Sequence, residues 1–192
     1  MKLTTQIQKC KKCPELVNRI KPVIGEGPIP CKIVFLGEAP GKNEDETGLP
    51  FVGRSGDILE AAAFSAGLTR GKDYHILNVL KCRPPENRNP SSEELKNCAP
   101  FLSQQLQVVQ PKVIVALGRY AQAYLLNKNP TEISILKTMG NIVKHPLWPY
   151  QVILSCHPSY ISHNRNPEIL EAFKTHIKKA VELADKERKN GK

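Results

Sequence analysis

Four short apolar runs constrain this chain more than any other feature. They are KIVFL (Lys32–Leu36), HILNVL (His75–Leu80), KVIVALG (Lys112–Gly118) and QVILSC (Gln151–Cys156). Near-continuous runs of Val, Ile and Leu fit strands of a parallel sheet covered on both faces, because neither face needs a polar side. Helical patterns fall between them. GDILEAAAFSAGL (Gly56–Leu68) has the spacing of one buried face, and Gly67 is a stop signal. SSEELKNCAPFLSQQLQVVQ opens with Ser91 or Ser92 as N-cap and carries Glu93 and Glu94 in its first turn. RYAQAYLLN (Arg119–Asn127) follows the third run. PEILEAFKTHIKKAVELADKERK (Pro167–Lys189) comes last, with Pro at the first helical position. The alternation predicts an α/β fold, a three-layer α/β/α sandwich around a central four-stranded, mostly parallel sheet with right-handed crossovers. Residues 1–192 read as one domain, with 186–192 a basic tail expected to fray.

In such sheets ligands bind beyond the carboxyl ends of the strands. Run one ends in GEAPG (Gly37–Gly41). Run two carries Asn78 and then KCRPP. Run three ends in GRYA, and run four in HPSY (His157–Tyr160). A backbone-rich turn, an amide and an imidazole therefore converge on one edge, with little carboxylate.

Charge narrows the partner. Lys and Arg outnumber Asp and Glu by 28 to 18, a net +10. That balance favours a polyanionic partner, nucleic acid before membrane, over the alternative of a merely solvated basic surface. No apolar run reaches the ~18 residues of a membrane span. MKLTTQIQKC has no apolar stretch of a secretion signal, so a cytoplasmic setting is expected. There, cysteines serve more often as ligands or catalysts than as disulfides. Cys10 and Cys13 form a C-x-x-C, whereas Cys31, Cys82, Cys98 and Cys156 stand alone. A zinc ribbon would show a second C-x-x-C roughly 15–20 residues on, and none is there. Cys82 lies just past a strand end and Cys98 on the helix that follows. Cys31 and Cys156 read as small buried apolar residues.

Together these pieces resemble the uracil-DNA glycosylase superfamily, in particular its iron–sulfur-containing family 4. The pieces are GEAPGKNEDETGLPFVGRSG (Gly37–Gly56), NVLKCRPPENRNP (Asn78–Pro90), Cys98 followed by APFL, Leu117–Gly118 and HPSY. Their order and spacing carry the resemblance; any one alone is weak. It implies removal of uracil from DNA by hydrolysis of the N-glycosidic bond, the first step of base excision repair. It also implies that Cys10, Cys13, Cys82 and Cys98 hold one 4Fe–4S cluster, with no nucleotide cofactor. Four thiolates suit zinc as well, so the residues alone leave that choice open.

The resemblance distributes roles. His157 would donate to uracil O2, where negative charge develops. Asn78 would read the base edge, its NH2 donating to O4 and its carbonyl accepting from N3–H. Cytosine presents the opposite pattern and would leave those groups unpaired. Phe51 would lie under the flipped base. Gly37, Glu38 and Ala39 would turn backbone N–H groups toward O2. Ala39 stands where family 1 enzymes carry a water-orienting Asp, and Gly41 where they carry a Tyr. Those departures leave the water-positioning group unassigned; Glu38, Glu44 and Asp45 are the carboxylates nearby in sequence, and Glu44 is expected to shape the wall that excludes a thymine methyl. DNA contacts are expected from Arg54, Lys81, Arg83, Arg88, Ser159 and Arg165, and from Tyr160 or Ile161 as a wedge in the duplex. Lys11 and Lys12 are further candidates for phosphate contact. A monomer suits scanning, and a DNA sliding clamp is a candidate partner. The competing readings are covalent linkage to uracil-DNA through an inserted histidine loop, absent between Asn89 and Ser91, and a non-catalytic DNA-binding module.

Overall fold

The computed structural model of this chain describes residues 2–16, 19–145 and 148–186. Five strands form one sheet: β1 (Ile33–Gly37), β2 (His75–Asn78), β3 (Val113–Leu117), β4 (Ile142–Lys144) and β5 (Gln151–Ser155), in the order β2-β1-β3-β5-β4. The four expected runs pair in parallel, with Gly37 opposite Asn78 and Leu117 opposite Ser155. β1, β2 and β3 are buried along their whole length. The sheet has a fifth strand that the four-strand expectation lacked. β4 runs antiparallel to β5 at the edge and is mostly exposed. A three-residue edge strand is held by backbone bonds rather than by burial, so it leaves no apolar run to read.

The helices are α1 (Leu3–Gln8), α2 (Lys42–Thr47), α3 (Arg54–Ser65), α4 (Ser92–Val109), α5 (Arg119–Leu126), α6 (Ile135–Thr138), α7 (Pro158–Asn164) and α8 (Pro167–Lys186). The three layers are as expected. On one face of the sheet, Phe35, Val115 and Ile153 pack with Leu59 and Ala63 of α3, Ile161 of α7, and Phe173 and Ile177 of α8. On the other, Val34, Ile114 and Val152 pack with Leu102 and Leu106 of α4 and Ala121 and Leu125 of α5. Cys31 and Cys156 are buried among these apolar residues. Ser91 is the N-cap of α4. Its hydroxyl accepts from Glu94 N–H at 3.2 Å and the Glu94 carboxylate accepts from Ser91 N–H at 2.7 Å, a capping box. α8 ends at Lys186, and the rest of the expected basic tail lies outside the described residues.

Candidate active site and thiol cradle

The carboxyl ends of β1, β2 and β5 open onto a cavity of about 270 Å³ lined by Glu38, Ala39, Glu44, Phe51, Asn78, Arg88, His157 and Ser159, among others. The convergence expected from the strand map is therefore present. Gly37 makes it possible. A Cβ there would sit 2.4 Å from Asn78 Oδ1 and 2.7 Å from the Phe51 ring, so only glycine lets amide and ring close over the end of β1. After β2 the chain stays paired to this corner, Val79 N–H donating to Gly37 O and Leu80 N–H to Glu38 O.

Asn78 is 3% exposed and its Oδ1 has no hydrogen-bond partner in the protein. An unmade bond on a buried acceptor costs about 1–3 kcal/mol, so this atom is built to meet a donor from outside. Phe51 sits at φ 51°, a left-handed conformation uncommon for a bulky residue. Arg70 holds it there by donating to the Phe51 carbonyl at 2.8 Å and the Pro50 carbonyl at 2.6 Å. Arg70 is in turn paired with Glu26 at 2.6 Å, and Glu26 bridges to Ile76 of β2. The Phe51 and His157 rings lie 5.7 Å apart.

His157 is the N-cap of α7. Its Nδ1 accepts from Ser159 N–H at 3.2 Å and lies 2.8 Å from Ser159 Oγ. A backbone N–H can only donate, so Nδ1 is the acceptor and the neutral ring carries its proton on Nε2. Burial pushes the imidazole down to about 4, which keeps it neutral through the physiological range. Ser159, expected at DNA, is thus engaged in orienting His157.

The three nearby carboxylates have separate fates. Glu44 accepts from Gly41 N–H at 3.0 Å, Val52 N–H at 3.0 Å and Gly53 N–H at 3.3 Å, which ties the turn after β1 to the loop bearing Phe51. Its oxygens are occupied by the wall they build. Asp45 is buried and accepts from Ile20 and Lys21 N–H. Glu38 borders the cavity, and burial raises it to about 7 against the pull of Arg119.

The expected DNA contacts divide. Arg54, Arg88 and Arg165 are exposed, and Arg83 is half-buried with its Nε donating to Asn87 Oδ1 at 2.8 Å. Arg88 makes two bonds to Glu94, at 2.6 and 3.0 Å, and so reaches the cavity rim from a fixed position. Tyr160 is 38% exposed and available as a wedge, whereas Ile161 is 6% exposed. Ile161 is excluded from that part because it packs in the core against α3. Lys81 is also corrected. It is 1% exposed, and its ammonium donates to the Asn78 carbonyl rather than meeting phosphate. Lys12 lies over the Phe101 ring, 5.5 Å from its centroid.

On the far side of Asn78, Cys10, Cys13, Cys82 and Cys98 line one cavity together with Ile7, Lys81 and Phe101. Asn97 of α4 fastens the C-x-x-C loop, donating to Lys12 O at 3.0 Å and to Cys13 Sγ at 3.7 Å. Arg19 donates to the Cys10 and Leu16 carbonyls. Asn97 carries no signal in the sequence, since its partners lie 84–85 positions away. Burial raises the Cys82 thiol to about 12 against the pull of Arg19, and Cys98, Cys10 and Cys13 add to the rise. Burial likewise raises Cys13 and Cys98. Thiols raised in this way ionise most readily around a cationic centre, and soft thiolates suit iron–sulfur or zinc. Among the described residues no three His, Cys, Asp or Glu groups close on one point as a single ion requires.

The same assembly is shared with known proteins. Residues 24–183 match the family description Uracil DNA glycosylase superfamily. A type-4 uracil-DNA glycosylase of Thermotoga maritima is 41% identical over 185 residues, 96% of this chain and 94% of that protein. One from Archaeoglobus fulgidus is 38% identical over 187 residues, covering 96% and 92%. A type-5 enzyme of Pyrobaculum aerophilum is more distant, 27% identical over 207 residues. A match along most of its length, at the level of the type-4 relatives, places this chain in the uracil-DNA glycosylase superfamily as a type-4 member.

Proposed function

We propose that this protein excises uracil from DNA by hydrolysing the N-glycosidic bond, leaving an abasic site for base excision repair. The observation that carries the reading is the buried, unpartnered Asn78 Oδ1 beside the Phe51 ring and the Nε2–H of a neutral His157. Uracil answers it: N3–H meets Oδ1, O4 accepts from the Asn78 NH2, and O2 accepts from His157. The ring stacks on Phe51 once the nucleotide has left the helix, a step that costs a few kcal/mol. Cleavage moves the C1′–N1 electron pair onto the base, leaving the sugar as an oxocarbenium-like cation. The anion formed at uracil is held at O2 by a donor that is already in place and already neutral. Water then adds to C1′ and gives up a proton. Glu38, raised to about 7 and bordering the cavity, is the carboxylate suited to accept it. Glu44 serves as wall, its oxygens tied to three backbone amides.

Cys10, Cys13, Cys82 and Cys98 would hold one 4Fe–4S cluster. An iron–sulfur core is bound by four thiolates spread over a polynuclear body, whereas zinc draws four to about 2.3 Å of one ion. The observation behind this reading is that all four thiols line one cavity, with no acidic or histidine ligand among its described lining residues. Its part here is to brace the segment between Asn78 and Cys98. Tyr160 would fill the gap left by the flipped base, and Arg54, Arg83, Arg88 and Arg165 would meet phosphates as the monomer scans DNA. No helix among the described residues is long and apolar enough to cross a membrane. The test is an oligonucleotide with a single uracil, treated with alkali and run on a denaturing gel. Strand breaks at the uracil support excision. A shifted band that survives denaturation means covalent linkage, and an intact strand means a binding module.

A further inference from the structure

Lys81 stands between the two sites and belongs to neither by any role given so far. It is among the largest fully buried side chains. Its ammonium donates to the Asn78 carbonyl, three residues back. Its carbonyl accepts from Val23 N–H at 2.6 Å. The residue lines the same cavity as the four cysteines.

A buried ammonium satisfied on one side by a neutral carbonyl is costly unless an anion completes it. Four thiolates around an iron–sulfur core supply that anion. The converse also holds, because thiolates taken out of water need a cation close by. We propose that Lys81 is a positioning residue that couples the two sites: its ammonium balances the anionic thiolate cradle while its bond to the Asn78 carbonyl fixes the residue that reads the base. Loading of the cradle then fixes Lys81, and Lys81 fixes the end of β2. This inference rests on the iron–sulfur reading of the cradle and on uracil excision.

Two measurements test it. In the first, Lys81→Met keeps length and apolar volume and removes the charge. Iron per protein and absorbance near ~400 nm are read beside the single-turnover excision rate of the iron-loaded fraction. The expected result is a several-fold loss of iron and a rate at least tenfold lower, with Lys81→Arg restoring most of the iron. Full iron content in Lys81→Met, or an unchanged rate in its loaded fraction, overturns the proposal.

The second uses wild-type protein and does not depend on the variant folding. Coupling is reciprocal, so filling the base site must protect the cradle. A chelator is added and the decay near ~400 nm is followed with a 2′-fluoro-deoxyuridine oligonucleotide, whose fluorine opposes the oxocarbenium and prevents cleavage. A thymidine oligonucleotide of the same sequence is the control. Decay several-fold slower with the uracil analogue alone is expected, and equal decay with both overturns the coupling. Wild-type protein that holds no iron, or that leaves uracil in place, defeats the earlier readings before either comparison is made.

Discussion

The base pocket and the thiol cradle share one stretch of chain, from Asn78 to Cys98, yet they are finished to different degrees. In the pocket nearly every polar group is answered from within the protein. Glu44 has its three amides, His157 its Ser159 and Phe51 its Arg70. One buried acceptor, Asn78 Oδ1, has no partner within the protein. In the cradle Asn97 and Arg19 fasten the C-x-x-C loop, and burial raises the thiols of Cys13, Cys82 and Cys98. The pocket is preorganised, while the cradle, on the proposed cluster reading, is completed by what it binds. Preorganised groups act on rate; groups completed by a metal act first on folding.

The sharpest way to break that contrast is at His157. His157→Ala should lower the single-turnover rate by about 10²–10³-fold. It should cost only the roughly 1 kcal/mol of a lost N-cap, about 2–4 °C in Tm. A rate within threefold of wild type would remove His157 from the chemistry. Cys82→Ser should do the reverse. We expect the absorbance near ~400 nm to vanish and Tm to fall by roughly 4–8 °C, about 2 kcal/mol. Excision by the remaining folded protein should drop about tenfold, since the bracing of Asn78 loosens. A Cys82→Ser protein as thermostable as wild type contradicts the bracing role.

Arg70→Gln probes the pocket's own scaffold. It should slow excision by about tenfold, and its effect should overlap with that of Phe51→Leu rather than add to it, because Arg70 acts through the loop. Strict additivity in the double variant would show that Arg70 acts elsewhere. The smallest effect is on pH. Glu38 must be ionised to take a proton from water, and its value is raised to about 7. The rate should therefore be about half-maximal near pH 7 and fall about tenfold per unit below it. His157, neutral down to about 4, adds nothing in that window. Glu38→Gln should be slower and flat across it; an unchanged acid limb in that variant points to another base.

What could be read from the chain follows the kind of interaction involved. The four parallel strands were legible because a strand covered on both faces must be apolar at every position, as β1 and β3 are. β4 was not, because its three residues are held by backbone bonds to β5. The gathering of Gly37, Asn78, Phe51 and His157 at one sheet edge, and of the four cysteines around one cavity, was legible from where they fall relative to the strand ends and from their spacing. Lys81 was misplaced at the surface because Lys is almost always exposed. Only its proximity to the thiols and to the Asn78 carbonyl makes burial tolerable. Arg70 and Asn97 were invisible for a third reason. Their partners lie 44 and 84–85 positions away in sequence, so no local pattern records them.

The bond from Ser159 N–H to His157 Nδ1 makes helix formation the selector of the tautomer. One consequence concerns how this fold could change over time. Asn and Ser are among the best residues for starting a helix, so either at position 157 would leave α7 capped and the sandwich intact. What would go is the imidazole alone. With Asn, a single base change from His, a repair enzyme built this way becomes a protein that keeps its fold and base pocket and removes uracil far more slowly.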